Sequence, residues 1–430
     1  MWARSTILSG FLALALVVCL AGRAVAELMT ALFPDGVPGY DVEAGVTVET
    51  RLHPELMPLG LREGAFQFHP ALDQGLGYTS NALPGPYRRG SWEIVSAPSL
   101  AIDTDWSRDA FGAVLSLQDT RVLALPSQDR TDWTASAGGR IDIGDDKLSI
   151  AAAHVAQHED RSQIDTIASD RPIAFQLDDV RASYAIADGR WSVVPDVQAS
   201  NWTYAGTTLL GIPASQSYRD RVVVQGGAIL RYEFVPLRSV VLVARAVGQD
   251  YTHTPIGQIT PDSNSYQLLA GIDYDDNSVW RWRLLAGGEA RRFASRSYPQ
   301  QNTFIAEAGA AWLPTGLTTV TATISRDTED AAQEGVSGLI YSTMRVTIDH
   351  EYLRDLLFRA TAGLQRADFF QGGHQTGTTA GLGITWVMNR NARLSFTYDQ
   401  TDLRGSSIPT EALATGSSSG VGLLTLRLRL

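Results

Sequence analysis

Arg221 to Phe234 reads RVVVQGGAILRYEF, Val235 to Arg238 reads VPLR, and Ser239 to Gln249 reads SVVLVARAVGQ. In the first run Val222, Val224, Ala228, Leu230, Tyr232 and Phe234 share one parity, and Arg221, Gln225, Arg231 and Glu233 share the other. In the second, Val240, Leu242, Ala244 and Ala246 stand against Arg245 and Gln249. Successive side chains of a strand point to opposite faces, so each run presents one apolar face and one charged face. The four residues between them are a tight reversal built on proline. Alternation alone also suits a soluble sandwich, whose polar face would meet water. The choice between the two rests on the connections.

Tight polar turns recur along the chain. They fall at Trp106–Asp109, Gly144–Lys147, Ala187–Arg190, Val235–Arg238, Asp275–Ser278, Leu313–Gly316, Leu353–Asp355 and Met388–Asn391. Between these eight lie nine longer polar stretches, among them Ser80–Gly90, Glu159–Arg171, Gly206–Tyr218 and Gly405–Ser418. Short and long connections that alternate give one rim of tight turns and one of long loops, the asymmetry of a transmembrane β-barrel. The count predicts about 18 antiparallel strands (16–18), with both barrel ends on the short-turn side. Phe234, Tyr274, Trp280, Trp312, Tyr352, Phe358 and Trp386 all fall on the apolar face beside the short turns, where an interfacial aromatic girdle belongs. The last strand alternates strictly, Leu424, Leu426, Leu428 and Leu430 against Thr425, Arg427 and Arg429.

The first residues look like an export address. Arg4 supplies the positive start, Ile7 to Leu20 the apolar core, and Ala24-Val25-Ala26 the small-residue cleavage site. Cys19 is the single cysteine and lies in this segment, so disulfides and cysteine-based zinc sites are not expected in a processed chain. Nothing later reaches 18 consecutive apolar residues, the length a spanning helix needs. The formal charge of −11 repels polynucleotides, and no nucleic-acid partner is expected. Glu27 to Gly64 is rich in proline and glycine and shows little alternation until Ala65. The chain therefore divides into a signal peptide at 1–26, a periplasmic lead-in at 27–64 that has the option of folding into the barrel mouth, and a barrel at 65–430.

Three motifs point to a family. Arg51-Leu52-His53-Pro54 is followed by Pro58-Leu59-Gly60-Leu61-Arg62-Glu63-Gly64-Ala65-Phe66 and then Gly77-Tyr78-Thr79-Ser80-Asn81. Together with Asp105-Trp106-Ser107-Arg108, they resemble the opening of the outer-membrane β-barrel porin type 2 family. The family pattern has an acidic residue where Met57 stands and often a serine at Ala65. The resemblance implies an outer-membrane barrel of a Gram-negative bacterium, associated with exopolysaccharide or envelope genes. It brings no catalytic residues.

Parity places Arg221, Arg231, Arg245, Arg281, Arg283, Arg291, Arg345, Glu233, Glu289, Glu307 and Asp349 on the lumen side. Charges of both signs inside a barrel either set a transverse field that sorts solutes or pair across strands and keep the lumen wet. Arg281, Arg283 and Arg291 on one strand, with Arg245 and Arg231 on nearby strands, form the densest basic patch, a candidate contact for an anion or acidic sugar. His154 and His158 have helical zinc spacing, but on a strand four residues span roughly 13 Å, too far for one ion. His253 near Asp262 and His374 near Asp368 are the nearest approach to a rim catalytic site, and chance proximity explains both. No cofactor, metal or enzymatic activity is expected.

Two loops are acidic, one with Glu159, Asp160, Asp165 and Asp170, the other with Asp327, Glu329, Asp330 and Glu334. They read first as solvated caps and second as sites for cations that bridge lipopolysaccharide. The expected fold is all-β, a transmembrane antiparallel barrel with a polar lumen. The expected function is passage of small hydrophilic solutes or a polysaccharide across the outer membrane. Its partners would be outer-membrane lipid and lipopolysaccharide. The alternative is a closed or plugged barrel, a structural or docking component of an envelope or exopolysaccharide export system. A soluble periplasmic β-repeat protein is the remaining rival.

Overall fold

The computed structural model describes residues 37–40, 48, 54–83, 89–160, 162–255, 257, 259–275, 279–406 and 416–430. The expected signal segment and its cleavage site lie outside them, as do most of the lead-in and parts of the stretches Ser80–Gly90, Asp275–Ser278 and Gly405–Ser418. No described helix is long and apolar enough to cross a membrane; the chain crosses with strands.

Eighteen strands form a closed antiparallel barrel. The first six are β1 (Phe66–Thr79), β2 (Ser91–Thr104), β3 (Ala110–Val122), β4 (Arg130–Ile143), β5 (Asp146–His158) and β6 (Ala174–Asp188). Next come β7 (Trp191–Tyr204), β8 (Arg221–Val235), β9 (Arg238–Tyr251), β10 (Ser263–Asp275), β11 (Trp280–Phe293) and β12 (Gln301–Thr315). The last are β13 (Thr318–Glu329), β14 (Leu339–Leu353), β15 (Leu356–Phe369), β16 (His374–Asn389), β17 (Ala392–Ser406) and β18 (Gly416–Arg429). β18 closes on β1 from Ala71 against Arg429 to Thr79 against Val421, so no edge is left unpaired between them. A three-residue strand, Leu61–Glu63, folds back on the start of β1.

Seven of the eight tight turns expected from the sequence connect consecutive strands, and the eighth, Asp275–Ser278, lies largely outside the described residues. Gly144 and Gly189 take φ of 67° and 59°, the left-handed region that glycine enters without penalty. Leu237 takes φ 67° in the VPLR turn, where its amide donates to Glu233 Oε1 at 2.6 Å. The longer connections gather on the other rim. One of them, residues 370–373, is as short as a turn.

The outward parity is the apolar one. Leu364 and Leu382 are 58% and 64% exposed, and Leu72, Leu268, Leu284 and Ile348 also face away from the barrel. A lipid bilayer is the medium that makes such a surface stable. The girdle beside the short turns forms as read, with Trp280 stacked on Trp312 at 5.2 Å and Tyr352 edge-on to Phe358 at 5.9 Å. Tyr274 stacks on Trp282 at 5.4 Å in the same belt.

The inward face departs from the uniformly polar lumen the sequence reading expected. Val241, Val243, Leu269, Leu285 and Ile305 form a buried inward cluster on β9 to β12. Val114, Ala151, Val155, Phe175, Leu177 and Trp202 form a second on β3 to β7. The physical reason is legible in hindsight. Residues 240–244 read VVLVA and residues 268–270 read LLA, apolar on both parities, as in strands buried on both faces.

Candidate channel and its constriction

The charged inward side chains form three tiers along the wall. Near the short-turn rim, Asp273 on β10 takes Arg231 of β8 at 2.9 Å and Arg283 of β11 at 3.4 Å. Arg281 reaches Asp275 at 3.6 Å. Glu233 is engaged with the turn amide of Leu237. Asp349 of β14 meets Arg359 of β15 at 2.7 Å, also near the short-turn rim, and at mid-height Arg245 of β9 meets Glu307 of β12 at 3.1 Å. Arg345 sits on β14 opposite Gly363 of β15.

The outer tier holds Arg221, Glu289 and Arg291. Glu289 accepts from Gln267 at 3.0 Å. Arg221 and Arg291 both turn to Asp330, at 3.1 and 2.5 Å. Arg283 and Arg291 are eight positions apart on β11, roughly 26 Å at ~3.3 Å per residue. The arginines grouped as one basic patch by sequence are thus distributed over the height of the wall, with acids interleaved.

Asp330 is the residue sequence reasoning placed on a solvated cap. Loop 330–338 instead folds inward from the end of β13. Gln249 also donates to the Asp330 carboxylate, which thus binds three wall side chains, one each from β8, β9 and β11. Burial raises the Asp330 carboxyl, but the guanidinium groups of Arg291 and Arg221 outweigh it and hold the group below the usual carboxylate range.

Loop 159–173 folds inward to meet loop 330–338. Asp165, at φ 60°, accepts the Ala332 amide at 2.5 Å and the Gln333 amide group at 3.4 Å. Its own amide donates to Gln375 Oε1 of β16 at 2.8 Å. Because the loop leaves β5 and reaches β16, it crosses the mouth. Ile164 and Val336 bury against the inward side chains Leu339, Tyr341, Ala367, Phe369 and Leu403, and Ile167 and Ile173 bury against Ala332. Arg219 anchors the near side: it pairs with Glu159 and lies 4.0 Å over the Tyr204 ring. Burial in this cap pushes the Asp165 carboxyl up to about 7, outweighing the hydrogen bonds from Ala332 and Gln333 and the charge of Arg219, which favour the carboxylate.

The described residues of the lead-in also stand against the inner wall. Val37 and Tyr40 pack in the inward cluster of β3 to β7, and the Tyr40 hydroxyl donates to Asp179 Oδ1 at 2.9 Å. Arg181 lies 4.4 Å over the Tyr40 ring. The Pro38 carbonyl occupies the space a Cβ would need at Gly138, so this position of β4 tolerates the lead-in only as glycine. Farther round the wall, the Val48 amide donates to Thr319 Oγ1 of β13 at 2.9 Å. The described residues of the lead-in and the two loops narrow the barrel.

Among the described residues no three His, Cys, Asp or Glu side chains converge on a metal position. His154 and His158 bond separate carboxylates, Asp178 at 2.6 Å and Asp132 at 2.8 Å. His253 meets Asp220 at 3.2 Å rather than Asp262. What the geometry offers is a wall of fixed charge pairs and a narrowed path. Asp330, Asp165, Arg219 and Tyr40 were not among the lumen residues read from sequence, because strand parity carries no information about segments that fold in from outside the sheet.

A closed 18-stranded barrel with an apolar exterior and a charged interior is a porin-like outer-membrane barrel. The family model described as "Putative beta-barrel porin 2" matches residues 53–423, and the chain belongs to that family. No curated protein matches the sequence. Among solved structures, the chain is similar to the outer membrane protein OpdK of Pseudomonas aeruginosa, at 12% identity and a TM-score of 0.46 over 85% of this chain and 99% of that one. OccAB3 of Acinetobacter baumannii matches at 9% identity and 0.45, over 85% and 99%. The FrpB iron transporter of Neisseria meningitidis matches at 8% and 0.46, over 83% of this chain and 66% of that one.

Proposed function

We propose that this barrel is a selective channel for small hydrophilic solutes in the outer membrane of a Gram-negative bacterium, reached after removal of the signal segment near Ala26. The observation that carries the reading is the outer tier, where Asp330 is clamped between Arg221 and Arg291 inside a wall whose other face is apolar. This buried clamp fixes the loop that narrows the path, and a solute passing it meets the more exposed pairs Arg245–Glu307 and Arg231–Asp273, charges of both signs that order it and its water. Arg221, Arg231, Arg245, Arg281, Arg283, Arg291, Arg345, Glu233, Glu289, Glu307 and Asp349 line this path. Selection comes from width and from the field of these pairs, with no cofactor and no covalent chemistry. A polysaccharide chain would require lead-in and cap to leave the lumen together, so the small solute is the preferred cargo.

The test is swelling of proteoliposomes in isotonic sugars and amino acids of increasing size. Swelling that falls steeply with solute size supports the channel. Rates equal to those of empty liposomes for every solute, with the protein folded, contradict it.

A second reading rests on the Tyr40 contact. A lead-in held in the lumen by Tyr40 and Asp179 makes a barrel that is closed until a periplasmic partner withdraws the segment. In that case the chain serves as a docking component of an envelope export system, and swelling appears only when the lead-in is displaced.

A further inference from the structure

The lipid-facing side of the barrel carries a charged row that passage through the lumen does not use. Arg326 of β13 pairs with Ser342 of β14, Ser342 with Arg366 of β15, Arg366 with Thr376 of β16, and Thr376 with Arg404 of β17. The five are therefore consecutive rungs of one ladder. They share parity with Ile324, Met344, Leu364 and Leu382, all exposed on the barrel exterior. Arginines on alternate strands stand about 10 Å apart, twice the ~4.8 Å strand spacing. Hydroxyl groups fill the strands between.

The row lies at the upper limit of the apolar band. Arg366 is eight positions along β15 from Phe358 of the short-turn girdle. That is roughly 26 Å along the strand and about 20 Å in height after a tilt of ~40°, against an apolar band ~25 Å tall. An arginine there costs little compared with one at the bilayer centre. Its guanidinium is level with the headgroups of the outer leaflet.

Arg326 and Arg404 are held without an ion-pair partner among the described residues, whereas Arg366 is paired with Asp368. Arg326 donates to Ser342 Oγ at 2.8 Å and to the Phe304 carbonyl at 3.2 Å, with no carboxylate in ion-pair contact among the described residues. Arg404 is exposed and likewise has no ion pair among them. Asp368 grips Arg366 through two nitrogens at 2.7–2.9 Å and fixes its plane. On β11, outward Arg292 repeats the arrangement, held by Asn302 at 2.8 Å. Acids share this exterior: Asp368 and Asp402 stand two positions from Arg366 and Arg404 on the same face, and Asp178 and Asp250 lie farther round the barrel.

We infer that the row Arg326, Ser342, Arg366, Thr376 and Arg404 is a binding site for the phosphates of a bis-phosphorylated glycolipid headgroup of the outer leaflet, the lipid A part of lipopolysaccharide. Guanidinium groups bind phosphate oxygens through paired N–H donors, and the hydroxyls between them complete the acceptors' needs. A headgroup with two phosphates spans two arginines of the row. The inference rests only on the barrel facing lipid, and its failure would leave the channel reading standing, because lipid binding and conductance are read separately.

The experiment is a native mass spectrometry titration of the detergent-purified full chain with bis-phosphorylated lipid A and with its dephosphorylated form. The expected result is roughly tenfold or stronger preference for the phosphorylated lipid, on the scale of ~1 kcal/mol per basic residue at a membrane surface. The R326Q/R366Q/R404Q variant loses that preference, while R354Q/R390Q, altered at the short-turn rim, keeps it. Equal binding of the two lipids by the unaltered chain overturns the site without recourse to any variant. So does a preference that survives in the triple variant.

Discussion

The Tyr40 hydroxyl donates to Asp179 Oδ1 at 2.9 Å inside the barrel, joining a segment from before the first strand to the inward face of β6. Asp179 is almost wholly buried and also takes the amide of Gln198, so the tyrosine completes the solvation of a carboxylate that water hardly reaches. Burial beside that carboxylate raises the Tyr40 phenol above its ordinary value, and the group stays a hydrogen-bond donor at any physiological pH.

Gly138→Val tests whether this contact narrows the path. The new side chain takes the place of the Pro38 carbonyl and collides with Val37. The lead-in leaves this part of the wall while β4 keeps its ladder. Overpacking costs the docked segment ~1–3 kcal/mol, enough to displace it, and single-channel conductance is expected to rise. Unchanged conductance with retained heat-resistant migration would show that the segment does not limit flow.

Asp330→Ala leaves Arg221 and Arg291 buried without their shared counter-charge. Removing one partner of a buried pair costs about 3–5 kcal/mol, which falls on the docking of loop 330–338 because the wall itself stays laddered. Protease cutting within the loop should rise sharply, and reversal potentials in a salt gradient should shift towards anions. No shift in selectivity would remove Asp330 from the path.

Acid should close the cap. The Asp165 carboxyl is raised to about 7 in the docked loop, and a detached loop would return it to the ordinary value near 3.8. A raised carboxyl binds a proton on docking, so docking strengthens as pH falls from about 7 towards 4 and is flat above 7. Channel closures should lengthen over that window, and Asp165→Asn should abolish the dependence while leaving the cap docked. A pH response that survives in Asp165→Asn would assign it to another group.

Leu382→Arg places a charge on the lipid face of β16, near the middle of the apolar band. Such a substitution costs about 2–4 kcal/mol at the bilayer midplane. It should lower the urea midpoint of the folded barrel in vesicles, an effect a water-facing residue would not produce.

The sheet was legible because its determinants are local. Residues such as Gly144, Gly189 and Pro236 reverse the chain where they stand, and the period of two then fixes parity between them. What the turns and parity did not carry is what fills the lumen. Asp330 and Asp165 sit in acidic loops whose composition reads as solvated, and their burial depends on arginine and glutamine partners far away in sequence. The apolar inward walls did leave a signal in VVLVA at 240–244, where alternation stops, and Gly138 marks the lead-in only once Pro38 is placed beside it.

The central claim, a water-filled but narrowed path, is met most directly by single-channel recording of the protein purified from the outer membrane, in a planar bilayer, beside Gly138→Val. The account predicts small discrete current steps for the unaltered chain, larger steps for the variant, and ion selectivity that changes when Asp330 is removed. Folded, inserted protein that passes no current in either form would contradict it.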